Sequence, residues 1–178
     1  MNMEVERFIL TRGLPKTGQV VSYGDYDDGY YQAGWWLGRT FANNKSRFIA
    51  KTIGGDDVVI DRATGLTWVA DGLSKGANWN NAMDFANAIA FADWLDFAGF
   101  TDWRLPNIIE LTSLIKFDTC APAIDTNFFS NIALNYYGSS TTRSSPTTDS
   151  WVIDFAFGLV SPRTKGGSNK VLCVRGGL

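Results

Sequence analysis

The glycines set the first limit on the fold. Eighteen of them are spread through the 178 residues, so apolar stretches are cut into short pieces by residues that end helices and permit tight turns. Aromatic residues make up 14% of the chain, seven of them Trp. Short aromatic runs between turn residues suit strands, hairpins and aromatic packing better than a bundle of long helices. A chain of this length buries a sizeable core as one domain without disulfide staples. No apolar run approaches the ~20 residues that a membrane-spanning helix needs, so membrane insertion is not expected.

Charge and residue types narrow the chemistry. Sixteen basic residues against 18 acidic give a net charge of −2, which provides no basic footprint for nucleic acid. Histidine is absent. That removes Ser-His-Asp and Cys-His triads, His-ligated zinc and His general bases. Cys120 and Cys173 are too far apart for a CxxC motif; they form one disulfide or remain two thiols. Val171-Leu172-Cys173-Val174 reads as a buried strand with a core thiol. Among the carboxylates Asp61, Asp84, Asp96, Glu110, Asp125 and Asp154, no pair stands at catalytic spacing on a recognisable scaffold. The expectation is a chain without catalytic residues, metal or cofactor. Met1 to Arg7 carry acids where an export signal carries bases, and Phe8-Ile9-Leu10 is too short for its apolar segment. The expected location is a virion, a surface reached by another route, or the cytoplasm.

Read in order, residues 1–45 form an extended arm and residues 46–178 a domain. Phe8-Ile9-Leu10, Val20-Val21 and Trp35-Trp36-Leu37 lie between glycines in the arm and must be buried on the domain or on a neighbouring subunit. Asp25, Asp27, Asp28 and Gly29 lack the EF-hand spacing and read as a polar turn. In the domain, Val58-Val59-Ile60, a turn from Asp61 to Gly65, and Leu66-Thr67-Trp68-Val69 predict a hairpin. A helix is expected from Trp79, capped by Asn78. Ala82, Met83, Phe85, Ala86 and Ile89 would lie on its buried face, opposite Asn80, Asn81, Asp84 and Asn87. A second helix starts at Asn107, where Glu110 completes a capping box and Ile108, Leu111, Leu114 and Ile115 form the buried stripe. The small-polar stretch 138–149 reads as a loop. Strands are expected over 151–157, 159–163 and 170–175, and Trp68, Trp103 and Trp151 as core anchors.

Several segments come in a characteristic order: Arg47-Phe48 through Asp61, Thr64-Gly65-Leu66-Thr67-Trp68, Trp79-Asn80-Asn81-Ala82, Thr101-Asp102-Trp103-Arg104-Leu105-Pro106-Asn107, Glu110-Leu111, Pro122-Ala123-Ile124-Asp125, Ser139-Ser140-Thr141 and Cys173-Val174-Arg175-Gly176-Gly177. Together they resemble the C-terminal domain of bacterial collagen-like adhesins, the Lcl C-terminal family. The Arg104-Leu105-Pro106 helix start is also similar to the formylglycine-generating enzyme superfamily. The resemblance implies an α+β, C-type-lectin-like domain: two helices flanking a small, twisted, mainly antiparallel sheet. It implies adhesion to a surface receptor or polysaccharide, a homo-oligomer with the trimer favoured, and sulfated polysaccharide as the family's ligand. Related domains also serve phage receptor binding and diversity-generating retroelements. Cys120 and Cys173 do not reproduce the copper-holding cysteine pair of the enzymatic branch, and Trp79-Asn80-Asn81 stands away from the calcium position of sugar-binding lectins. A structural subunit of a virion or surface assembly is the alternative function. Arg104 reads as a clamp on a carboxylate or carbonyls.

The loop 137–150 and the turn 163–170 are expected on one rim of the sheet. Tyr137, Arg143, Asp149, Arg163, Lys165, Ser168 and Asn169 are the expected ligand-binding residues, because Tyr, Ser and Asn supply adaptable contacts.

Overall fold

The computed structural model describes residues 17–31, 46–75 and 83–176. In chain order the elements are α1 (Asp28–Tyr31), β1 (Phe48–Ile53), β2 (Asp56–Asp61), β3 (Leu66–Val69), α2 (Phe85–Asp93), α3 (Ile108–Thr112), β4 (Tyr136–Thr142), β5 (Asp149–Asp154), β6 (Leu159–Thr164) and β7 (Val174–Arg175). The chain is α+β, as the sequence implies. Its strands, however, form two antiparallel sheets rather than one, ordered β1-β2-β3-β7 and β4-β5-β6.

The predicted hairpin is β2 and β3, with Val58 opposite Val69 and Asp61 opposite Leu66. Gly65 takes a φ of 76°, which lets its N–H reach the Asp61 carbonyl at 2.7 Å and close the turn. Asp61 does more than turn the chain. Its carboxylate, fully buried, accepts from Arg47 Nε (2.9 Å) and Nη2 (2.6 Å), the Ala63 N–H (2.9 Å) and the Thr64 hydroxyl (2.9 Å). Arg47 Nη2 also donates to the Ser113 carbonyl at 2.9 Å, tying β1 and β2 to the end of α3.

Helix α3 begins as read. Asn107 Oδ1 accepts from the Glu110 N–H and Glu110 Oε2 accepts from the Asn107 N–H, both at 2.9 Å. Leu111, Leu114 and Ile115 are buried, and Ile108 packs against them. Helix α2 differs from its expected form. The segment around Asn78 and Trp79 lies outside the described residues, and the N-cap is Asp84, whose carboxylate accepts from the Asn87 N–H at 2.9 Å. That start places Ala88 and Ala92 in the core, while Ile89 is 39% exposed. Two alanines on the inner face let α2 lie close against β4.

The stretch read as a loop contains a strand, β4. Gly138 and Ser139 are buried in it, and the Ser139 hydroxyl donates to the Trp151 carbonyl at 2.6 Å. Such small residues carry no apolar pattern, yet they fit a strand held on one side by β5 and on the other by Lys170. Strand β5 stops at Asp154, short of the expected 157. Gly158 closes the following turn with φ 70°, where a Cβ would sit 3.0 Å from Ile115 Cγ2. Trp68 and Trp103 are core residues; Trp151 is only half-buried, paired across the sheet with Pro162.

One core joins both sheets and both longer helices, from Trp68 and Val59 through Leu111 and Ala88 to Ile153 and Phe155. Cys173 is fully buried in it and Cys120 is exposed; neither is paired. In the arm, Asp27 accepts from the N–H groups of Tyr23 (2.7 Å) and Tyr30 (2.9 Å), so the acidic segment is a capped turn into α1. The Tyr23 N–H bond is the leading cause that holds Asp27 below the ordinary carboxylate range. The Phe117 N–H donates to the Thr17 carbonyl at 2.9 Å, which seats this part of the arm on the domain. The arm's Phe8-Ile9-Leu10 and Trp35-Trp36-Leu37 lie outside the described residues.

Trp103 is 2% exposed, donates from Nε1 to the Phe97 carbonyl at 2.9 Å and meets the Phe97 ring edge-on at 5.6 Å. Trp103→Ala is expected to lower unfolding free energy by about 3–5 kcal/mol in chemical denaturation. A loss under about 1 kcal/mol would remove Trp103 from the core account.

Candidate functional site

The rim expected from the sequence exists. The end of β4, the start of β5 and the end of β6 lie together, with Asp149 opposite Thr164 and Thr142 opposite Ser150. Residues 143–148 and 165–168 are the two loops at that end. Backbone bonds fasten them: Arg143 N–H to the Asp149 carbonyl (2.9 Å) and Lys165 N–H to the Thr148 carbonyl (2.8 Å). The Phe85 N–H in turn donates to the Lys165 carbonyl at 2.9 Å, so the first turn of α2 buttresses the rim.

The expected ligand-binding residues divide. Arg143 Nη1 pairs with Asp149 Oδ2 at 3.2 Å, and both reach the surface. Lys165 Nζ lies 4.6 Å from the centre of the Phe85 ring, and Ser168 is exposed beside it in the turn. Arg163 lies back over the sheet, its guanidinium 4.2 Å from the centre of the Tyr136 ring. Tyr137 and Asn169 are brought elsewhere. Tyr137 is 2% exposed, accepts from the Ala133 N–H at 2.8 Å and packs on Phe155; burial raises its hydroxyl to about 12. Asn169 is buried, its backbone pairing in both directions with Met83. These two side chains position the rim from below and offer a ligand no surface.

A second feature adjoins the rim and was not legible as a site in the sequence. A pocket of about 430 Å³ opens between α2, α3 and β4. Ile89 and Leu105 give it apolar walls; Asp93, Asn107, Ser140 and the Arg104–Glu110 pair give it polar ones. Arg104 grips Glu110 with two bonds, Nη1 to Oε2 (2.8 Å) and Nη2 to Oε1 (2.6 Å), and Nη2 also donates to the Gly176 carbonyl at 2.8 Å. Arg104 is thus the clamp on a carboxylate and a carbonyl that its sequence context implies. Ser140 is there because β4 bulges. The register steps from Gly138 opposite Val152 to Thr142 opposite Ser150, and the freed residues bond to the entry of α3 instead. The Ser140 N–H donates to the Pro106 carbonyl (2.8 Å), and Thr141 Oγ1 accepts from the Ile108 N–H (3.0 Å). The only sequence signal for the pocket was the capping box that fixes Asn107 and Glu110; Asp93 lies in an aromatic-rich stretch without a motif.

Five of the six carboxylates weighed for catalysis, all but Asp96, make structural contacts. Asp61 is clamped by Arg47, Asp84 caps α2, Glu110 holds Arg104, Asp125 turns the chain at Asn127 (3.1 Å) and Asp154 turns it at Ala156 (2.8 Å). Among the described residues, no three Cys, Asp or Glu side chains group as metal ligands.

With this geometry in view, the comparison with known families is specific. The model of the Lcl C-terminal domain matches residues 57–175, from β2 through β7 and across both the rim and the pocket. The chain belongs to the Lcl C-terminal domain family. Among curated proteins, none matches the chain significantly. The two motifs at the heart of the resemblance, Trp103-Arg104-Leu105-Pro106-Asn107 and Cys173-Val174-Arg175, are neighbours in space: Arg104 and Val174 exchange backbone bonds at 2.8 and 3.0 Å.

The Arg104–Glu110 pair yields a pH prediction. Burial pushes Glu110 up, but the bonds from Arg104 and the Asn107 N–H outweigh it and hold the carboxyl below its ordinary 4.5. A depressed folded value means stability that is present above about pH 4.5 and lost as pH falls through the folded value. Glu110→Gln keeps the capping geometry and removes the charge. It is expected to cost about 1–2 kcal/mol at neutral pH, a gap that closes on acidification below pH 4.5 in thermal melts. A gap of constant size across that range would show that the ion pair contributes nothing.

Proposed function

We propose that this Lcl C-terminal domain is a non-enzymatic recognition module of the adhesin type, acting through the loop rim of the β4-β5-β6 sheet on a surface receptor or polysaccharide. The observation that carries the reading is the rim itself. Two exposed loops are bonded to each other, to a rigid sheet and to α2, which is how a stable scaffold presents variable contacts. At the rim Arg143 and Lys165 stand with Asp149, and Arg163 adds a third positive side chain on the adjoining sheet, so among these residues positive charge exceeds negative although the chain carries −2 overall. That balance favours anionic groups on the partner. A C-type-lectin-like fold accords with two helices beside small antiparallel sheets and with early and late strands side by side in one sheet.

Self-association belongs to the same reading. Tyr26, Tyr30 and Tyr31 of the arm pack ring against ring at 5.0 to 6.2 Å, and these three and Tyr23 are 61 to 84% exposed. In a trimer, joined copies would present several rims at one end and bind a multivalent surface more tightly than one copy does.

The test is a glycan array printed with sulfated and neutral polysaccharides, with the mass of the same sample measured by light scattering. The expected result is an oligomer that binds sulfated features, weakens with added salt and loses binding in Arg143→Ala/Lys165→Ala. Absence of any glycan binding, or equal binding by the double variant, would contradict a glycan-reading rim. A monomer would remove the oligomeric part of the reading alone.

A further inference from the structure

The pocket between α2, α3 and β4 has a different chemistry from the rim. Nη1 and Nη2 of its Arg104 are taken up by Glu110 and the Gly176 carbonyl, while Nε is buried without a partner among the described residues and shielded from the pocket, and Glu110 is taken up by Arg104 and the Asn107 N–H. That pair is electrically closed. What stays open to a ligand is the Asp93 carboxylate, which has no side-chain partner among the described residues, and the Asn107 amide NH₂, whose oxygen alone is used by the helix cap. Ser140 adds a hydroxyl from the β4 bulge, and Ile89 and Leu105 supply an apolar wall. The Ser140 hydroxyl gives its own proton to the Pro106 carbonyl at 3.3 Å and keeps an acceptor, so the pocket offers two acceptors and a donor around an apolar surface.

Each ligand class meets these groups differently. A sulfate or carboxylate would face the unpaired Asp93 charge with the one guanidinium already occupied, so an anion is disfavoured. A cation would satisfy Asp93 but leave the Asn107 NH₂ without an acceptor beside it. A hydroxyl both donates and accepts, so neighbouring hydroxyls can give a proton to Asp93 and take one from Asn107. A saccharide ring also carries an apolar C–H face to lay on Ile89 and Leu105, and about 430 Å³ lies within the range of small-ligand sites.

We infer that this pocket binds an uncharged, unsulfated saccharide ring through Asp93 and Asn107. The inference rests on the reading of the domain as a glycan-recognition module and gives it a second, neutral subsite. Ser140 of the pocket lies in β4 and Arg143 of the rim directly follows the end of that strand, three residues on and on the order of 10 Å away. One partly sulfated chain can therefore place a neutral ring in the pocket and an anionic group on the rim.

The experiment is an NMR titration of the ¹⁵N-labelled full chain with galactose, mannose, glucose and N-acetylglucosamine to about 50 mM, enough to detect a millimolar Kd. At least one sugar is expected to shift the amides of Asp93, Asn107 and Ser140. Asp93→Asn and Asn107→Asp keep side-chain size, and the second keeps the cap acceptor; each should weaken that sugar about tenfold. Silence of these amides with all four sugars, shifts confined to other residues, or full affinity in both variants would overturn the inference. A parallel titration with heparin reads the rim separately. Shifts at Arg143 and Lys165 with a silent pocket would sink the subsite and leave the rim standing, and pocket shifts without rim shifts would do the reverse.

Discussion

Asp61 lies fully buried in the core with hydrogen-bond donors around its carboxylate. Arg47 binds it twice, the Ala63 N–H and Thr64 hydroxyl complete its shell, and Arg47 continues to the carbonyl of Ser113. A buried ion pair is worth little over an apolar pair of the same shape, but it is costly to break, because the remaining charge has nowhere to go. Here it also fixes geometry. The pair joins β1 to the β2–β3 turn and joins that turn to the end of α3, three pieces brought together from distant parts of the chain. If it opened, β1, the turn and the end of α3 would lose the contact that ties all three together.

From α3 onward, a second ion pair takes over. Glu110 completes the capping box with Asn107, Arg104 ties Glu110 to the Gly176 carbonyl, and the pair forms one wall of the pocket. The bulge in β4 bonds to the same helix entry, so the strand that leads to the rim is tied to α3 as well as to its own sheet. The rim and the pocket therefore stand on polar contacts that hold backbone in place, and the apolar core fills the space between. Tyr137 and Asn169, buried beneath the rim, support its loops from below.

Much of this was legible in the residues. The β-branched run at Val58 with Thr64-Gly65 marks a hairpin, and Asn107 with Glu110 marks a capped helix; both signals are local, and both elements form where they point. Elements that depend on distant partners were hidden. Strand β4 is Gly, Ser and Thr through its centre because its hydrogen bonds go to Lys170, Trp151 and the entry of α3, which no local pattern records. Trp151 looks like a core residue by type and is half-buried because its pleat faces away. For the candidate site, the rim followed from the turn residues, since loops between paired strands share an end. The pocket did not, because Asp93, Asn107 and Ser140 come from three elements and meet only through tertiary packing.

The scaffold account rests most directly on the Arg47–Asp61 pair, and a double-mutant cycle in chemical denaturation measures it. Asp61→Asn and Arg47→Met should each cost about 3–5 kcal/mol, and the double variant clearly less than the sum, since removing both partners leaves no lone buried charge. Single variants within about 1 kcal/mol of the parent, or a double variant whose loss equals the sum, would show that the two sheets and α3 hold together without this clamp.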